Sequence, residues 1–288
     1  MDFLGTAKAM RVWLWASLIC NMLIIVTGGV VRITGSGLGC SEWPTCEEGQ
    51  LVPHGELGIH AAIEFGNRTL TGLLLIAAIG ALVSVAKVRG RNSRLWWITF
   101  SVLLGIAAQA VLGGITVWVK LHPAIVAAHL VLSIALVVLC TWAVFIGENQ
   151  SPDPVAPLPY FVVLATFLAS LVAISTGTLT TGAGPHSGDA ESVRNGLNIV
   201  SIARVHALSA WVVAALAVLT FVLLRKASRS AARVALIFLG VVVAQGAIGY
   251  IQYALGIPAS VVWLHMVGLT VLTAVAAWLL CSVRRTSI

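Results

Sequence analysis

The chain has 288 residues, 59% of them hydrophobic and only 9% charged, with a formal net charge of +7. A mean hydropathy of +1.00 excludes an ordinary soluble domain of this length. The positive charge invites a nucleic-acid partner, but it is gathered at the ends of apolar runs, which excludes that reading too.

Apolar runs of bilayer-spanning length recur eight times, at roughly 12–31, 61–86, 95–118, 124–146, 159–180, 203–224, 234–254 and 260–282. The first is too long, and too plainly one of a series, for a cleaved signal peptide. It ends at Thr34-Gly35-Ser36-Gly37, and a polar loop with Cys40 and Cys46 in the sequence CSEWPTC follows. Span two starts near His60 and carries Glu64, Asn67 and Arg68. Glu64 is the only one of ten acids within a span, and intramembrane charge is costly enough to mark function by default. Glu64 and Arg68, four residues apart, also suit a plain helix ion pair. Span three holds Gln109, and His129 follows it by 20 residues in span four. His129 lies six residues past Pro123, about 10 Å inward.

The segment 147–158, with Pro152, Pro154 and Pro157, reads as a linker. Span five ends at Thr181-Gly182-Ala183-Gly184, and span six opens with Arg204 and His206. Gln245 in span seven again precedes a histidine by 20 residues, His265 in span eight. Cys20, Cys140 and Cys281 fall in apolar runs and read as small core residues. His54, His122 and His186 fall in loops and read as solvated, with His186 close enough to a span end to approach a site.

Charge sets the orientation. Twelve of the 17 basic residues lie in the N-terminal segment, the loops after spans two and six, and the C-terminus. The alternate loops hold only Arg32, Lys120 and Arg194. That bias predicts a plasma-membrane protein with both termini cytoplasmic. The CSEWPTC loop is then extracytoplasmic, where disulfides persist. A Cys40–Cys46 bridge would stabilise by about 2 kcal/mol through loop closure; free thiols or a metal site are the alternatives.

The chain also repeats. The glycine motifs, the Gln-to-His spacing and the histidines near the starts of spans two and six recur in one order. Four spans per repeat preserve orientation. The expectation is therefore an all-α integral membrane protein of two parallel four-helix-bundle repeats, related by a pseudo-twofold along the membrane normal. The N-terminal half would be 1–146, the linker 147–158 and the C-terminal half 159–288. Facing imidazoles at one depth in a helical bundle are what bis-histidine heme ligation needs. Arg68 and Arg204, at comparable levels of spans two and six, suit heme propionates.

The residues Gly28-Gly29-Val30-Val31-Arg32-Ile33-Thr34-Gly35-Ser36-Gly37-Leu38-Gly39-Cys40, Trp43-Pro44-Thr45-Cys46, Ile63-Glu64-Phe65-Gly66-Asn67-Arg68 and Gln109 to Val117 resemble the heme A synthase family, as do the histidines of spans four, six and eight. The resemblance implies an eight-helix enzyme oxidising the methyl group of heme O to the formyl group of heme A by successive hydroxylation. It implies a heme b cofactor held by His206 and His265, and an N-terminal half receiving the substrate heme with His129 among its ligands. It makes Glu64 the family's essential glutamate and Cys40–Cys46 its outer-loop disulfide. Heme O synthase and heme-copper oxidase assembly would be the neighbours, within membrane lipid.

One position departs from the pattern. The family's common form is Glu-x-x-His-Arg, whereas here the fourth residue is Asn67. His60, two turns earlier on the same helix face, is the candidate replacement; a substrate heme with a single protein ligand is the alternative. Glu64 would accept a proton or stabilise positive charge developing at the methyl carbon. A diheme b-type cytochrome exchanging electrons with quinol, and a repeat-built transporter, stay as rival readings.

Overall fold

The structure is a computed structural model and describes residues 3–53, 58–190 and 192–286. A short 3-10 turn, Phe3–Gly5, precedes eight helices. They are α1 (Ala7–Ile33), α2 (Gly58–Arg89), α3 (Arg94–Trp118), α4 (Pro123–Gly147), α5 (Pro157–Ala183), α6 (Ile199–Ala227), α7 (Arg229–Ala254) and α8 (Ala259–Cys281). Each is long and apolar enough to cross a membrane, so the expected eight-span, all-helical multi-pass protein is what forms. Most helices overrun the expected apolar runs by a turn or less. The extra turns are polar or capped, which hydropathy alone does not register.

Side chains set several helix starts. Thr6 caps α1 by accepting from the Ala9 N–H at 3.1 Å, and Ser93 caps α3 by accepting from Trp96 at 3.2 Å. Asn198 does the same for α6 through Ser201 at 3.0 Å. Ser228 is the whole connection between α6 and α7 and caps α7 through Ala231 at 3.0 Å. Each satisfies an N–H that the helix leaves without an internal partner. Many large apolar side chains, including Leu73, Ile76, Leu104, Val111, Leu168 and Val243, are exposed on the helices. Lipid solvates such faces, and small buried residues such as Ala77, Ala78, Ala81 and Ser84 allow close helix packing.

The described chain forms two compact units. Unit 1 comprises Met1–Val144 with Thr181–Leu197, and unit 2 comprises Phe145–Thr180 with Asn198–Ile288. This differs in two places from the division at 1–146 and 159–288. First, the stretch expected as a linker carries β1 (Asp153–Val155), which pairs in parallel with β2 (Val283–Arg285), Asp153 opposite Val283. The Ser228 hydroxyl donates to Asp153 Oδ2, tying this ribbon to the α6–α7 turn of unit 2. No alternation long enough to announce a strand exists in three residues. Second, the segment after α5 belongs with unit 1. The Gly37 N–H donates to the Gly188 carbonyl at 2.8 Å, and Arg32 donates to the His186 carbonyl from Nε at 3.2 Å and Nη2 at 2.9 Å.

Within unit 1, α2 runs from the disulfide loop to Lys87 and Arg89. Its 32 residues make it about 48 Å long. Loop and basic cluster thus sit at opposite ends of one spanning helix. At the basic end, the Arg94 guanidinium lies 4.4 Å from the Trp142 ring centre.

Candidate functional site

In unit 1 the site starts from a close approach. Gly39 lies against the first turn of α2, where a Cβ would come within 2.5 Å of the His60 carbonyl carbon and oxygen. Only a glycine permits that contact. It delivers the Cys40 N–H to Glu64 Oε2 at 2.7 Å. The other carboxylate oxygen accepts from Arg68, from Nε at 3.2 Å and through a shorter ion pair with Nη2. Arg68 Nη1 then reaches over the loop, donating to the carbonyls of Glu42 at 2.8 Å and Thr45 at 3.0 Å. Glu64 is 6% exposed, so a carboxylate is held in a dry place with both oxygens bonded.

The Cys40–Cys46 disulfide is formed, and both cysteines are buried on Ala61 with Phe65 packed alongside. Trp43 lies edge-on to Trp118, ring centres 6.1 Å apart, fastening the loop to the end of α3. An open cleft of about 590 Å³ lies beside it, lined by Leu38, Glu42, Trp43, Val117, Trp118 and Lys120 among others.

His129 is half-buried on α4, with its Cε1 3.5 Å from where a Cβ of Gly113 would stand. Gln109 Nε2 donates to the His129 carbonyl at 2.9 Å and to Ser133 Oγ at 2.5 Å. His60 is exposed, and its Nδ1 meets Ser36 Oγ at 3.0 Å. Asn67 Oδ1 accepts from Thr27 Oγ1 at 2.7 Å. Among the described residues, His60 and His129 make no ring contact with each other.

Unit 2 is built differently around the same frame. Gln245 Nε2 donates to the His265 carbonyl at 3.0 Å, and the ring Cε1 again stands 3.5 Å from a Cβ built on a glycine, Gly249. Here a second imidazole answers it: the His206 and His265 ring centres are 6.3 Å apart with planes at 89°. His206 Nδ1 is engaged by the Ala173 carbonyl at 3.0 Å and Thr176 Oγ1 at 3.3 Å, leaving Nε2 for a metal. Gly177 makes room for the ring, since a Cβ there would stand 2.9 Å from His206 Cε1. Two nitrogen–metal bonds of about 2 Å plus the ring radii fill a gap of this size. Among the described residues no cluster of three or more His, Cys, Asp and Glu could hold a metal ion. An imidazole pair with His206 Nδ1 already engaged suits a metal whose other ligands come from a macrocycle, so the residues present fit heme.

Of the arginines picked out for propionates, Arg68 is spent on Glu64 and the disulfide loop, whereas Arg204 is exposed on α6 and bonds nothing among the described residues. His122 is exposed, His186 half-buried, and His54 lies outside the described residues. The sequence reading missed Ser133, Thr176 and the Ala173 carbonyl, which orient the histidines. Ser133 stands one helical turn after His129, a spacing that points to it; the other two carry no pattern of their own.

A family model described as cytochrome oxidase assembly protein matches residues 11–277. Heme A synthase of Symbiobacterium thermophilum is 31% identical over 161 residues, 52% of this chain and 52% of that protein. Heme A synthase of Geobacillus thermodenitrificans is 28% identical over 120 residues, 42% of this chain and 37% of that protein. A stretch of 66 residues, 23% of this chain, is 38% identical to a tenth of the protoheme IX farnesyltransferase of Thermus thermophilus. The chain thus spans about half or less of the length of these curated relatives. The family match, by contrast, runs from the first turns of α1 to within a turn of the end of α8. On that match, with its two histidine-bearing units and locked glutamate, the chain belongs to the cytochrome oxidase assembly protein family.

Proposed function

We propose that the protein is a heme A synthase, converting the methyl group of heme O to the formyl group of heme A by successive hydroxylation. The observation that carries this reading is the inequality of the two units. Unit 2 offers a facing imidazole pair, suited to a cofactor that stays. Unit 1 offers His129, an exposed His60 and a buried carboxylate, suited to a substrate that leaves. A diheme cytochrome needs two firmly held hemes and has no use for Glu64.

In this reading His206 and His265 hold heme b, which when bound supplies one-electron chemistry. His129 takes the iron of substrate heme O on one face. His60 is the second ligand, or heme O is held with one. Glu64 sits with both oxygens engaged, oriented to accept a proton or stabilise positive charge at the substrate methyl carbon. The Cys40–Cys46 loop, pinned by Arg68 and Trp43, keeps water from that carboxylate. Arg204 pairs with a propionate of the cofactor.

The recurring Gln, Gly and His relations support two parallel repeats about a pseudo-twofold along the membrane normal, with N- and C-terminal halves for substrate and cofactor. The charge bias supports a plasma-membrane location, both termini cytoplasmic and the disulfide loop outside. A farnesylating heme O synthase would supply the substrate, and heme-copper oxidase assembly would consume the product.

The test is extraction and mass identification of hemes from protein made alongside a heme O synthase. Heme A or its hydroxylated precursor is expected from the unaltered chain. Finding heme b alone, in two equivalents, would replace this reading with the diheme cytochrome; finding no heme would replace it with the transporter.

A further inference from the structure

The segment Thr181–Leu197 brings a second arginine to the end of α1. Arg32 donates to the His186 carbonyl at 2.9 Å, and Arg194 Nη2 donates to the preceding carbonyl, that of Pro185, at 3.0 Å. The two guanidinium groups therefore sit on consecutive carbonyls of one loop. Carbonyl oxygens satisfy the direction of these N–H bonds without balancing the charge. Among the described residues, no carboxylate lies within ion-pair distance of either arginine, and Arg32 Nη1 bonds nothing.

The neighbourhood is built. Gly37 and Gly188, joined by a hydrogen bond, both abut Leu121, and Gly188 also lies against the aliphatic stem of Arg32. Lys120, next to Leu121, lines the cleft of about 590 Å³ beside the disulfide loop. That volume is in the range of small-molecule sites. The corresponding position before the second Thr-Gly motif, Thr181-Gly182, is Leu179, so this charge is not part of the sequence repeat.

We propose that Arg32 and Arg194 form a carboxylate-binding pair in unit 1 that takes the propionate side arms of the substrate porphyrin. This rests on the heme O reading above and supplies what Arg68, committed to Glu64 and the loop, does not. A dianionic ligand balances two adjacent guanidinium groups, and bidentate geometry suits a carboxylate. The pair grips the polar edge common to substrate and product and leaves the methyl carbon to other groups.

The protein, carrying its resident heme, is titrated with ferric protoporphyrin IX and separately with its dimethyl ester, in which both carboxyl groups are capped. Binding is followed by tryptophan quenching and by the Soret band. The free acid is expected to bind the unaltered chain at least about tenfold more tightly than the ester, the scale of one charge-assisted hydrogen bond. In R32Q and R194Q the free acid is expected to weaken to the ester's level, with the ester unmoved.

Equal losses for acid and ester in R32Q would mean that Arg32 only holds the loop, and would overturn the proposal; so would unchanged acid binding in both variants. Arg194 is exposed, so R194Q decides the matter if R32Q does not fold. Acid and ester binding alike, with phosphatidylglycerol co-purifying with the unaltered chain but not with R32Q, would assign the pair to a lipid headgroup instead. Absence of any second porphyrin site would overturn the heme O reading itself, an outcome distinct from all of these.

Discussion

Unit 1 and unit 2 share a local frame and use it for unlike ends. In each, a glutamine on one helix donates to the carbonyl of a histidine 20 residues on, and a glycine lies under that ring. The frame fixes where a helix presents its imidazole. What differs is the answering group. In unit 2 it is His206, oriented by Ala173 and Thr176. In unit 1 the polar effort goes instead into Glu64, Arg68 and a disulfide loop stapled by Trp43. Two good axial ligands favour retention; one ligand beside an oriented carboxylate favours turnover and release. On the proposed reading, one frame serves a cofactor and a substrate by changing only its partner groups.

The sharpest way to break this contrast is to delete one imidazole from each unit. His265→Ala is expected to abolish the resident heme, an all-or-none loss read by pyridine hemochrome. His129→Ala is expected to keep that heme at full stoichiometry while losing the substrate porphyrin. If His129→Ala also emptied the protein of its resident heme, the division of labour between the units would be wrong.

Glu64→Gln comes next in size. Glutamine keeps an oxygen for the Cys40 N–H but cannot take a proton or neutralise Arg68. Turnover is expected to fall about 10²- to 10⁴-fold, the usual reach of a positioned acid–base group, with resident heme unchanged. Normal turnover in a fully loaded Glu64→Gln protein would leave Glu64 as no more than an anchor for Arg68.

Much of this was legible in the chain because a bilayer makes few demands and makes them strictly. Length and apolarity alone place eight spans, and the Gln109–His129 and Gln245–His265 spacings carry the repeat. The job of Arg68 was not legible. Its i, i+4 relation to Glu64 showed in the sequence, but its bonds to the Glu42 and Thr45 carbonyls depend on how a loop folds back. Arg32 was hidden for the same reason: its partners lie about 150 residues away, on carbonyls that any residue could supply. Backbone acceptors leave no mark on composition or spacing.

Two glycine substitutions probe the units at matched size. Gly39→Ala meets the His60 backbone, and Gly177→Ala meets the His206 ring. Overpacking of this kind costs about 1–3 kcal/mol. Gly39→Ala is expected to lower thermal stability and turnover while the resident heme spectrum holds. Gly177→Ala is expected to shift that spectrum, because the ring must turn or move. A spectral shift from Gly39→Ala, or none from Gly177→Ala, would contradict the separate construction of the two sites.

The smallest effect is expected at Asn67, where the resembled family commonly has histidine. Asn67 Oδ1 now accepts from Thr27 Oγ1 at 2.7 Å, so the position is occupied by a bond between α1 and α2 rather than by a ligand. Asn67→His gives up that bond, worth about 1 kcal/mol, and gains an imidazole three residues past Glu64. If unit 1 stays weakly ligating so that product can leave, the added imidazole should slow release of porphyrin to a scavenging apoglobin several-fold and lower turnover correspondingly, with unit 2 untouched. Faster turnover would mean that the chain lacks a ligand it needs, and that His60 does not fill the role. Unchanged release would put retention on His129 and the propionate contacts, making the arginine pair at the end of α1 the stronger half of the grip.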